Sequence, residues 1–131
     1  MVVETILPDT CAWIDYFSGR DTIIARSLAQ ALTNCEIVTC GVVMYELFQG
    51  IRSRKESEAI REAFSSLRYI EMSKSLWFSA AQISASLRKK GVTIPSSDIQ
   101  IAAIALQHRL VILTVDQHFK QVPDLVTKHT L

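Results

Sequence analysis

The chain is poor in the residues that punctuate or staple a fold. Four glycines and three prolines in 131 residues leave no room for a Gly/Pro-rich linker or a low-complexity tract. The three cysteines, Cys11, Cys35 and Cys40, are odd in number and contain no C-x-x-C pair. That excludes a disulfide framework and a zinc site and leaves them as small buried hydrophobes. Neither sign of charge prevails: 14 Lys and Arg against 13 Asp and Glu give a net charge of +1. No overall field draws the molecule to a polyanion, so any such contact must be local. Long apolar runs are missing too, none approaching a membrane span. The N-terminus has no basic segment and reaches Asp9 too early for a signal peptide, so a cytoplasmic location without a membrane partner is expected.

What is present is a chain that is 49% hydrophobic and 21% charged, the balance of a compact, largely helical protein. The length predicts one domain over residues 1–131, able to bury about two-thirds of its unfolded surface. Strand-like apolar runs occur at Val2–Leu7 (stopped by Pro8), Glu36–Thr39, Arg68–Met72 and Leu110–Leu113, with a last edge strand at Leu125–Thr127. Helical periodicity fills the intervals. A short helix carries Trp13, Ile14 and Phe17, and a second, capped by Asp21, runs to Thr33. A third runs from Gly41 toward Gly50, and a charged one spans Arg54–Ser66. A long helix from Ser73 to Lys90 turns Leu76, Trp77, Ala80, Ile83 and Leu87 inward, and a nearly all-apolar one opens on a capping box, Ser97 with Gln100. Alternating strands and helices predict an α/β fold with a mostly parallel sheet covered on both faces. In such sheets, ligands bind outside the carboxyl ends of the strands.

Four acids sort to that edge. Asp9 follows the first strand, Glu46 lies in the second turn of the helix after the second strand, Asp98 is in the first turn of the apolar helix, and Asp116 lies just past Leu113. The other acids fall at strand beginnings, on the charged helix or at a cap. Each of the four also has a plainer role: Asp98 can favour a helix N-terminus through the macrodipole, and Asp9 and Asp116 can serve as turn or cap residues. Glu46, set between Val42-Val43-Met44-Tyr45 and Leu47-Phe48, needs a partner or an exit to solvent. Crowded carboxylates repel by roughly 3 kcal/mol per close pair at about 5 Å and an effective dielectric near 20, and a hard divalent cation such as Mg2+ is the usual offset. Thr10 and Thr114 stand beside the acids, either to hydrogen-bond a carboxylate or to satisfy strand-end backbone. His108, His118 and His129 share no ligand spacing and read as solvated or capping side chains.

Four segments, Leu7-Pro8-Asp9-Thr10, Tyr45-Glu46-Leu47-Phe48-Gln49-Gly50, Ile94 to Ala103 and Thr114-Val115-Asp116-Gln117-His118-Phe119, occur in order over essentially the whole chain. Together they resemble a PIN-domain nuclease and, more narrowly, the VapC-type toxins of toxin–antitoxin pairs. The resemblance implies a three-layer α/β/α fold and a Mg2+- or Mn2+-dependent endoribonuclease that cuts tRNA or rRNA and so inhibits translation. Carried over by position, Asp9 and Asp98 are the principal metal ligands, Glu46 and Asp116 complete the cluster and Thr114 supports it. Implied partners are RNA, a VapB-type antitoxin and a second copy of the chain, gripped by an apolar face of Ile24, Leu28, Val43, Leu47 and Phe48. Where relatives often carry Asn or Ser, this chain has Cys11. For RNA, the basic run Arg52, Arg54, Lys55 is expected to matter more than Arg88, Lys89, Lys90. A receiver-like or haloacid-phosphatase domain also places Asp after its first strand, but the D-x-D start and a placed lysine are missing. A catalytically silent PIN-like binding module is the other alternative, and retention of all four acids speaks against it.

Overall fold

The computed structural model describes residues 3–131. Five strands, β1 (Thr5–Pro8), β2 (Glu36–Cys40), β3 (Arg68–Ile70), β4 (Val111–Leu113) and β5 (Val126–Lys128), form one sheet in the order β3-β2-β1-β4-β5. Every neighbouring pair is parallel. The helices are α1 (Thr10–Phe17), α2 (Ile23–Asn34), α3 (Gly41–Gln49), α4 (Arg54–Ser65), α5 (Lys74–Lys89) and α6 (Ser96–His108), followed by a 3-10 turn at Gln117–Gln121. They flank the sheet in a three-layer α/β/α arrangement, as the alternation of patterns predicts. No helix is long and apolar enough to cross a membrane.

The order matters because it reverses at β1. The chain winds outward from β1 to β2 and β3, then returns to place β4 on the other side of β1. Crossovers diverge at such a point and leave a crevice outside the strand ends. Ile6, Leu7, Val38, Ile112 and Leu113 are fully buried in the sheet, which is why these strands read as continuous apolar runs rather than alternating ones. α6 is buried nearly all round, from Asp98 and Ile99 to Ala105.

Several boundaries differ from the sequence expectation. Of the first strand's predicted residues, Val2 lies outside the described part of the chain, and the observed strand includes Pro8. Proline is tolerated there for a geometric reason. The Asp9 amide donates to the Leu113 carbonyl at 3.0 Å, so backbone alternation turns the Pro8 nitrogen toward β2, whose register with β1 runs only through Thr5 and Ile6. The cap of α2 is Thr22, whose hydroxyl accepts from the Ala25 amide, while Asp21 pairs with Arg26. The capping box at Ser97 does not form: the cap of α6 lies two residues earlier, at Pro95, and Gln100 reaches only the Ser96 hydroxyl. Trp77 is exposed rather than inward, because the buried stripe of α5 runs through Leu76, Ala80 and Leu87.

Candidate active site

Each acid is delivered to the crevice by a different element. Asp9 is the residue after β1 and caps α1, its Oδ1 accepting from the Thr10 amide at 2.8 Å. Glu46 comes from the second turn of α3, Asp98 from the first turn of α6, and Asp116 caps the 3-10 turn after β4 by accepting from the His118 amide at 2.9 Å. Asp9 and Asp98 are buried and Glu46 and Asp116 half-buried.

The structure joins all four through short side-chain bonds. The Thr10 hydroxyl donates to Glu46 Oε1 at 2.9 Å while the Thr10 amide holds Asp9, so one residue ties two acids together. Thr114, at the end of β4 and buried, donates its hydroxyl to Asp9 Oδ2 at 2.9 Å and accepts from the Asp116 amide at 3.0 Å. His118 closes the far side: its Nδ1 lies 3.0 Å from Asp98 Oδ2 and 3.1 Å from Asp116 Oδ1. Glu46, Thr10, Asp9, Thr114, Asp116, His118 and Asp98 thus form one connected line across the carboxyl edge. Both threonines bond to carboxylates rather than serving strand-end backbone alone.

The tightest knot in this line was not visible from sequence spacing. Among the described residues, Asp98, Asp116 and His118 are the group whose potential metal-ligand atoms all lie within 4.8 Å of one another. His118 is therefore neither a free surface side chain nor a cap. Its signal was its place two residues after a turn-forming Asp, which folds the ring back over the acids, and not any pairing with another histidine.

Electrostatics follow from the crowding. Burial pushes the Asp98 carboxyl up to about 6, with the charges of Asp116 and Asp9 adding to the shift and the His118 hydrogen bond opposing it. Asp9 is raised as well, first by burial and then by Asp116 and Glu46, against the bonds from Thr114 and Thr10. Cys11 lies 3.8 Å from Asp9 Oδ2 and 3.7 Å from Thr114 Oγ1. Burial raises this thiol too, and the nearby Asp9 charge adds to the effect. A protonated thiol is a poor nucleophile, so Cys11 is a filler of the Asp9 corner. The donors that remain are hard oxygens under mutual repulsion, together with one imidazole, and such a set fits a divalent cation.

The connected acids and the fold around them agree with the family to which the sequence corresponds, with residues 6–125 matching the PIN domain. The chain belongs to the PIN-domain family. Among curated PIN relatives, ribonuclease VapC11 of Mycobacterium tuberculosis is 28% identical over 118 residues, covering 87% of this chain and 88% of the relative. Of solved structures, the VapBC2 complex of Rickettsia felis bound to a promoter DNA fragment superposes with a TM-score of 0.80 at 19% identity, covering 95% of this chain and 97% of that one. A toxin–antitoxin complex from Klebsiella pneumoniae gives 0.70 at 28% identity, over 96% and 99% of the two chains.

One expectation about a surface needs correction. Ile24, Leu28, Val43 and Leu47 are buried in this chain's own core and offer nothing to a partner. Phe48 alone of that set reaches the surface, lining an apolar groove of about 480 Å3 with Met44, Tyr45, Arg61 and Phe64. Lys55 lines a recess with Phe17, at the far end of α1 from Asp9, whereas Arg88 shares one with Ser96 and Gln100 in the opening turns of α6. Lys120 lines a third recess together with Thr114 and Asp116.

Proposed function

We propose that this PIN-domain protein is a metal-dependent endoribonuclease acting as the toxin of a type II toxin–antitoxin pair, with tRNA or rRNA as substrate and arrest of translation as outcome. The observation that carries the reading is the unbroken line of bonds joining four acids at the point where strand order reverses. Asp9, Glu46, Asp98 and Asp116 would hold a Mg2+ or Mn2+ ion. When bound, such an ion polarises phosphoryl oxygens and makes a water nucleophilic near neutral pH. The protein's part is positional. Thr114 fixes Asp9 and Asp116 relative to each other, Thr10 does the same for Asp9 and Glu46, and the first turn of α6 sets Asp98 against both.

RNA has to approach a negative cleft on a molecule without net attraction for it. Lys120, which shares a recess with Thr114 and Asp116, and Arg88, which shares one with the opening turns of α6, would supply local attraction for phosphates. The groove at Tyr45 and Phe48, on the same helix as Glu46, suits an apolar segment of a VapB-type antitoxin. A homodimer belongs to the same reading and is checked by sedimentation.

Purified protein freed of antitoxin should cut RNA with Mg2+ or Mn2+ and not in excess EDTA. Asp9→Asn and Asp98→Asn should each lower the rate by on the order of a hundredfold or more, the equivalent of about 3 kcal/mol of lost charge stabilisation, with circular dichroism unchanged. Undiminished cleavage in EDTA would remove the mechanism. The absence of a neighbouring reading frame for a small DNA-binding protein would remove the toxin assignment but leave the nuclease.

A further inference from the structure

His118 is the one imidazole built into the acidic line, and its placement is more specific than a surface histidine requires. Its backbone is pinned by the Asp116 side chain, which accepts from the His118 amide at 2.9 Å, and its Nδ1 meets two carboxylate oxygens, at 3.0 Å and 3.1 Å. Adjacent ligands of an octahedral ion about 2.1 Å from its donors stand about 3.0 Å apart. The two separations from His118 Nδ1 already match that spacing, and all three donors lie within 4.8 Å of one another, close enough to converge on one ion. The ring is half-exposed, with Nδ1 directed at the two carboxylates.

We infer that His118 is itself a metal ligand, so that Asp98, Asp116 and His118 form a mixed nitrogen–oxygen site selecting Mn2+ or a similar transition dication over Mg2+. The inference rests on the metal-dependent reading above and adds the donor that sets ion preference. Mg2+ takes oxygen donors and gives up water reluctantly, whereas imidazole nitrogen favours the later first-row ions.

The test uses the full chain loaded with Mn2+. Pulsed electron paramagnetic resonance of the wild type should show 14N modulation of the strength given by a directly bound imidazole. His118→Gln should abolish it and His108→Gln should leave it intact. In competition, Mg2+ should displace Mn2+ from His118→Gln more easily than from wild type, by at least the roughly tenfold that even an outer hydrogen-bonding partner of a metal ligand contributes. Mn2+ bound without 14N coupling in the wild type, or coupling that survives His118→Gln, would overturn this inference and leave the nuclease reading standing. Failure of the wild type to bind Mn2+ at all would overturn both.

Discussion

At the scale of single residues, Asp98 carries the clearest consequence. Its carboxyl is pushed up to about 6 from an ordinary value of 3.8. Between those values the folded protein keeps a proton that the unfolded chain has released, so stability falls as pH rises through the window. At about 1.4 kcal/mol per pKa unit, the full cost is on the order of 2–3 kcal/mol. Asp98→Asn should therefore be more stable than wild type in urea titrations at pH 7.5 with chelator present, and the advantage should shrink toward pH 4. An equal difference at both pH values would contradict the assignment. The position of Asp98 could be inferred from sequence because a helix start is legible, and so could the positions of Asp9, Glu46 and Asp116. The role of His118 could not, because it depends on a turn whose dihedral angles bring residues 98 and 118 together across β4. Thr10 left two readings open for a similar reason: its partner Glu46 is 36 positions away.

At the scale of elements, periodicity located nearly every helix and strand, while their ends were set by interactions that pattern does not record. The cap of α6 is an example, since Pro95 and not Ser97 fills it. At the other end of α6, Arg109 adopts φ 55 and ψ 48, a left-handed conformation closing the helix before β4. A non-glycine residue there costs about 1–2 kcal/mol, part of which glycine would return as unfolded-state entropy. Arg109→Gly should accordingly stabilise the fold by about 0.5–1 kcal/mol in denaturant melts without altering cleavage. Destabilisation would mean that the arginine side chain holds something that the backbone does not reveal. Gly91, at φ 75 after α5, already uses the permissive residue, and that end was placed correctly from sequence.

At the scale of the whole molecule, the α/β class and the edge that gathers the acids followed from alternation alone, but the distribution of charge around that edge did not. Sequence proximity to Glu46 favoured Arg52, Arg54 and Lys55. α3 carries the chain away from the crevice before they appear, and Arg54 is paired with Glu58. Reversal of Arg88 or Lys120 to Glu should weaken RNA binding and reduce its salt dependence by about one unit of logarithmic slope for each phosphate left without its cation. Lys55→Glu should leave both near wild type. Filter binding across a salt series distinguishes the cases, and a larger effect from Lys55→Glu would restore the first cluster.

The pairing of β1 with β4 also has a temporal meaning. Asp9 leaves the ribosome early, yet its amide partner is Leu113 and its hydroxyl partner Thr114, 105 positions later. Pairings so distant in sequence are slow to form, and during synthesis they cannot form until β4 has been made. The acidic line is therefore incomplete in a nascent chain that has not reached β4. Ribosome-arrested chains ending before β4 should bind no Mn2+ and cut no RNA, however long they are held.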